Sequence, residues 1–330
     1  MNTHFVHVSG SQSLPCVLTN GLLSRLVIVV GMFVAAPHLT LPTPEHPFFH
    51  PTISWTAMNK WDGKWYEKIV TQGYEYQRDG RPHDIAFFPL YPFLTWVLMG
   101  TGLGFAAAGT IVSNTAFLGA LYLLYQRTAE HYGHQTARWA VAALAWFPLS
   151  VFCFVTYAEA LFLLVTLGFL QAFEKQHYWL AALLAALAAL CRIPGMTLIP
   201  AIVVCASWDR LPWRAYLPAL FGFLGIATFV IYQATRFHDP LAFVHMQASW
   251  MQNSFLVELP RIHHPINLMR IFVWPAAVVL LYSLRRKLCR LDLAYALCSL
   301  LLILLGEKHE LRTQICVRHS PGIRCRRPVV

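Results

Sequence analysis

Asp62 stands in the run Trp61-Asp62-Gly63-Lys64-Trp65-Tyr66, a carboxylate among aromatic side chains in a polar stretch that follows the first apolar segment. Partial burial against aromatics raises a carboxylate's pKa, and a nearby ammonium, such as that of Lys68, lowers it. That balance tunes a general base to take a proton from a hydroxyl. The bland alternative is an Asp capping a short interfacial helix whose tryptophans form the aromatic belt of a membrane surface.

Three other groups invite the same weighing. Arg236-Phe237-His238-Asp239-Pro240-Leu241-Ala242-Phe243, followed by His245, Gln247 and Trp250, reads as an acceptor or phosphate platform, or as a turn opened by Asp before Pro. In Tyr157-Ala158-Glu159-Ala160 the Glu begins an apolar helix, where an ionisable side chain marks a site or complements the helix dipole. Arg192, in Cys191-Arg192-Ile193-Pro194-Gly195, either snorkels to the headgroups or binds a phosphate with its planar fork of donors. Lys64 and Arg236 are the other cations available for such a phosphate.

The elements that must hold these residues are membrane helices. The 330-residue chain is 57% hydrophobic and only 12% charged, against about 25% charged in soluble domains. Its net charge of +10 does not indicate nucleic acid, because the basic residues fall in short loops and in the last stretch of the chain. Length alone suggests about two domains, yet apolar stretches recur without a long polar interlude, which predicts one all-α bundle. Nine spans are expected, near residues 21–36, 105–124, 139–154, 158–173, 178–191, 195–208, 215–235, 266–284 and 291–305. Residues 88–103, with Pro89 and Pro92 near their start, read either as a span or as a helix in the interface. Residues 1–20 form a polar tail and residues 21–305 the membrane domain. Within it, 37–103 form a large first external loop with short interfacial helices. The segment ending Val34-Ala35-Ala36-Pro37 resembles a secretory signal, but residues 1–24 hold no Lys or Arg, so it reads as the first transmembrane helix.

The excess of Lys and Arg in short cytoplasmic loops fixes Arg285, Arg286, Lys287 and Arg290 as cytoplasmic. Counting back puts Arg210 with Arg214, Lys175, and Arg127 with Arg138 on that side, provided 88–103 do not cross. The 37–87 loop, Tyr157, Arg192 and the 236–262 segment then share the opposite face. Trp179 to Leu190, rich in Ala and Leu, predicts close helix packing through small residues. Cys153, Cys191, Cys205 and Cys298 read as small hydrophobes, and no disulfide framework is readable. Cys316, His319 and Cys325 match no zinc spacing, and no metal ligand is assigned.

Taken together, these segments resemble the GPI second-mannose mannosyltransferase family and its prokaryotic relatives, within the GT-C class of polytopic glycosyltransferases. The matching pieces are Trp61-Asp62-Gly63 with Tyr66 and Gly73-Tyr74; Ala86-Phe87-Phe88-Pro89-Leu90-Tyr91-Pro92; Phe147-Pro148 with Tyr157 and Glu159; Arg192 with Gly195; and Asp239-Pro240-Leu241-Ala242-Phe243 with Gln247 and Trp250. They occur in the family's order over about residues 50–250. The resemblance implies a GT-C-like helical bundle and transfer of a hexose, mannose by preference, from a polyprenyl- or dolichyl-phosphate sugar to a glycan or glycolipid acceptor. Inversion at the anomeric carbon, Asp62 as the catalytic residue and no required cofactor are also implied. Trp61, Lys64, Tyr66, Tyr157, Glu159, Arg192, Arg236, Asp239, His245 and Gln247 are the expected substrate-binding set. The expected location is the cytoplasmic membrane in a prokaryote or the endoplasmic reticulum membrane in a eukaryote, with membrane lipids as partners and no nucleic acid.

Two features depart from the family. Ala158 stands where many relatives have Ser, and after Leu305 the basic tail of 306–330 has the pattern of a truncated or frame-shifted end. The rival readings are a polytopic transporter or lipid flippase, which places ionisable residues deep in its helices, and a degenerate, non-catalytic relative.

Overall fold

A computed structural model describes residues 10–35, 55–79, 81–253 and 265–302. Among these residues there is no strand. The helices are α1 (Gly10–Val30), α2 (Asp62–Gln72), α3 (Leu90–Met99), α4 (Phe105–Ala145), α5 (Glu159–Glu174), α6 (Tyr178–Cys191), α7 (Leu198–Trp208), α8 (Leu217–Phe237), α9 (Ala242–Asn253) and α10 (Pro265–Leu284). A further helical stretch runs over 290–302. The chain is a helical membrane protein.

Three described helices are long and apolar enough, by length and composition, to cross a bilayer, Ser13–Val34, Phe105–Ala145 and Trp213–Phe237, so nine such spans are not found among the described residues. Helix α1 begins at Gly10, well before the apolar run at residue 21, and takes in part of what hydropathy assigned to the tail. The two expected spans 105–124 and 139–154 are one helical run broken at Gly133, whose φ of 83° is left-handed. The polar link between them is helical because one side of it is buried: Tyr125, Ala129 and Ala137 face the core. That run ends at Ala145, and Pro148 opens a 3-10 turn to Cys153, which cuts the second expected span short. Helix α3 has ten residues, about 15 Å against a hydrocarbon core of about 30 Å. It cannot cross alone, and Pro92 costs it nothing because the first-turn amides have no partner inside the helix.

The hairpin of α5 and α6 organises the molecule. Sixteen and fourteen residues long and joined by the turn at 175–177, they run antiparallel. The start of α5 therefore meets the end of α6, and Glu159 meets Arg192. Small residues let neighbours close in as expected: Ala181, Ala182, Ala185, Ala188 and Ala189 are buried on α6. At the other end of the hairpin Arg127 pairs with Glu174 at 2.5 Å and with Asp292 at 2.7 Å. The Tyr132 hydroxyl donates to the Lys287 carbonyl at 3.0 Å, Lys175 pairs with Glu130 at 3.0 Å, and Arg290 pairs with Asp209.

Candidate active site

Helix α2 starts where it does because two segments clamp its N-terminus. Thr156 donates through both its amide and its hydroxyl to the Met58 carbonyl (3.2 and 3.1 Å), and the Asp62 amide donates to the Tyr157 hydroxyl at 3.1 Å. Gly63 permits this approach, since a Cβ there would lie 2.3 Å from Thr156 Oγ1. Trp61, just before the helix, has φ 45°, a genuine outlier for a bulky residue. Such strain persists where the surroundings over-determine it, as they do at functional sites.

Asp62 is half-buried and lines a cavity of about 290 Å³ with Tyr66, Ala86, Phe87, Phe88, Glu159, Cys191, Arg192, Ile193, Pro194 and Gln247. Burial first, and the Glu159 carboxylate second, raise the Asp62 pKa, while the Arg192 guanidinium pulls it down. Arg192 leaves α6 in extended backbone (φ −158°) and forms an ion pair with Glu159 across the cavity. Tyr66 is buried edge-on against Phe87 and Tyr91, at centroid distances of 5.1 and 4.9 Å, and its phenol is held protonated by burial. The far wall is held by Gln247, whose Nε2 donates to the Ala86 carbonyl at 3.1 Å, and by Tyr74, whose hydroxyl donates to the Phe87 carbonyl at 2.8 Å.

The expected site residues therefore divide. Asp62, Tyr66, Glu159, Arg192 and Gln247 share the cavity, and Trp61 and Tyr157 join Asp62 and Glu159 around an adjoining recess. Asp239 and His245 form a separate node. Asp239 accepts from the Tyr76 hydroxyl (2.8 Å) and Arg78 Nε (3.0 Å), meets His245 Nδ1 at 3.0 Å, and takes the Leu241 amide at 3.2 Å. Its pKa is lowered, these hydrogen bonds outweighing burial. The turn reading of Asp-Pro thus holds, with an added duty of tying the first loop to α9. Lys64 is exposed and paired with Glu67 at 2.8 Å, and Arg236 is exposed at the end of α8; neither lines the cavity. Lys68, expected beside Asp62, instead pairs with Glu75 at 2.5 Å and Asp84 at 3.3 Å, so the cation that tunes Asp62 is Arg192. The Trp250 side chain and residues Cys316, His319 and Cys325 lie outside what the structure describes.

Sequence reasoning missed Asp84 and Phe152. Asp84 is fully buried, its pKa raised by burial, and it accepts the Glu75 amide at 2.7 Å, fixing the segment that delivers Phe87 and Phe88. Its place in Pro82-His83-Asp84 carried no signal that separates it from a surface turn. Phe152 looked like part of a span. Glu174, Cys289 and Asp292 bring potential metal ligands within 4.8 Å of one another, but the Arg127 guanidinium is bonded to all three.

Known proteins add one finding. Over 154 residues, 42% of this chain, the sequence is 28% identical to GPI alpha-1,6-mannosyltransferase 2 of Homo sapiens. The match spans 30% of that protein's length. No family model matches the chain. The likeness is distant, and it agrees with the family that the ordered motifs resemble.

Proposed function

We propose that this chain is a membrane glycosyltransferase of the GT-C type that moves a hexose, mannose by its likeness to the human enzyme, from a polyprenyl-phosphate donor to a glycan or glycolipid acceptor with inversion. The observation that carries the proposal is one cavity lined by both a carboxylate of raised pKa, Asp62, and a guanidinium, Arg192. A single displacement needs these two functions. Asp62 accepts the proton of the attacking hydroxyl, and Arg192 stabilises the charge that gathers on the departing phosphate, the electrostatic contribution that is often the largest in catalysis. Phosphate leaves without an acid partner, so no second proton donor and no metal is demanded. Glu159 holds Arg192 in place and Gln247 braces the opposite wall.

The basic loops gather at the far end of the α5–α6 hairpin, which supports a cavity facing the compartment opposite the cytoplasm. Asp62→Asn keeps the shape of the side chain and removes the base. In membranes lacking other such enzymes, transfer from polyprenyl-phosphate mannose is expected to fall by about 100-fold or more; full retention of transfer would refute the role of Asp62.

A further inference from the structure

Two recesses reach Asp62. The cavity above holds Arg192 on its wall. A second, of about 390 Å³, is lined by Trp61, Asp62, Phe152, Tyr157 and Glu159, a volume within the roughly 300–1,000 Å³ of small-molecule sites. Asp62 and Glu159 line both; Arg192 lines only the first. On the reading of the chain as an inverting transferase, on which this inference rests, the leaving phosphate and the attacking hydroxyl stand on opposite sides of the reacting carbon. The phosphate belongs beside the cation, so the hydroxyl arrives on the side of Asp62 that Arg192 does not line.

We propose that the recess walled by Trp61, Phe152 and Tyr157 is the acceptor subsite, and that it takes a hexopyranose ring by stacking the ring's apolar face on these aromatics. Its composition fits that occupant and rejects the donor's headgroup. Phe152 lies stacked on the buried Tyr157, with centroids 5.4 Å apart and planes 19° from parallel, so Tyr157 backs the Phe152 ring and fixes its plane. Trp61 is 75% exposed, so its indole is available to a ligand. Glu159 is already engaged by Arg192, and the recess's five lining residues include no cation, so nothing in its wall holds a phosphate and Asp62 is left as acceptor for a sugar hydroxyl. In the step that follows, the acceptor oxygen bonds to the anomeric carbon as the bond from that carbon to the phosphate oxygen breaks. The bonding pair leaves on the phosphate, and the hydroxyl proton passes to the Asp62 carboxylate.

The test uses the purified full chain in detergent with polyprenyl-phosphate mannose as donor and octyl α-mannoside as acceptor, measuring transfer and, without acceptor, release of mannose to water. Trp61→Ala and Phe152→Ala are expected to raise the KM for octyl mannoside by about tenfold and to leave the donor KM of the hydrolysis unchanged. Trp61→Phe should stay near wild type, while Phe152→Leu, which keeps bulk but loses the ring, should show the same split if Phe152→Ala fails to fold. Raised donor KM with unchanged acceptor KM would overturn the assignment and make the recess the path of the polyprenyl chain. Failure of octyl mannoside to saturate the active wild type would also overturn it. A wild type that neither transfers nor hydrolyses sinks the function itself, and the subsite with it.

Discussion

At the scale of single residues, the proposed chemistry turns on three charges at Asp62, Glu159 and Arg192. Glu159 pushes the Asp62 pKa up directly and also occupies the guanidinium that would otherwise pull it down. Both effects have the same sign, so Glu159→Gln lowers the Asp62 pKa. Activity that depends on ionised Asp62 is lost as pH falls through that pKa, and the acid limb of the kcat/KM profile is expected to move to lower pH in Glu159→Gln. Arg192→Gln removes the counter-charge and must move the same limb to higher pH, beyond its effect on donor KM. Measured profiles in which both variants shift the limb the same way would show that Asp62 is not the group being titrated. Tyr157 adds a separate constraint, because its hydroxyl takes the Asp62 amide and so fixes where the carboxylate starts.

At the scale of elements, the site exists because short helices end together. Gly195 shows how closely: a Cβ there would lie 2.0 Å from the Ala188 carbonyl oxygen and 2.3 Å from its carbon. Backbone cannot swing aside as a side chain can, so Gly195→Ala must lift the 3-10 turn Ile193–Thr197 off α6 and carry Arg192 with it. The expected cost is about 1–3 kcal/mol, the usual price of overpacking, read as a lower Tm in detergent together with a raised donor KM. An unchanged Tm would mean that the turn does not pack so tightly. These elements were only partly legible in the sequence. Asp62, Glu159 and Arg192 stood out because ionisable residues bordering apolar runs are rare, and the Ala-rich α6 announced its packing. The helix from 125 to 138 did not, since its polar residues Arg127 and Glu130 are satisfied by Glu174 and Lys175, partners remote in sequence, and hydropathy registers only the polarity. Lys64 and Lys68 looked equivalent to Arg192 as charges; which of them reaches Asp62 depends on the α5–α6 hairpin, and no local pattern encodes that.

At the scale of the whole molecule, the α5–α6 hairpin separates two charged ends with different duties. From Glu159 to Glu174 the helix rises about 22 Å, with the candidate site at its start and the Arg127, Glu174 and Asp292 network at its finish. The network joins α4, α5 and the 290–302 helix, and its carboxylates are mostly buried. Breaking a buried pair by removing one partner strands the remaining charges, at a cost of about 3–5 kcal/mol. Arg127→Ala is therefore expected to lower the Tm and the folded yield strongly. The cavity is a helix length away and shares no side chain with the network, so donor and acceptor KM in the protein that does fold should equal those of wild type. A changed donor KM would show that the two ends are coupled through α5, and that the network belongs to the catalytic machinery as well as to the scaffold.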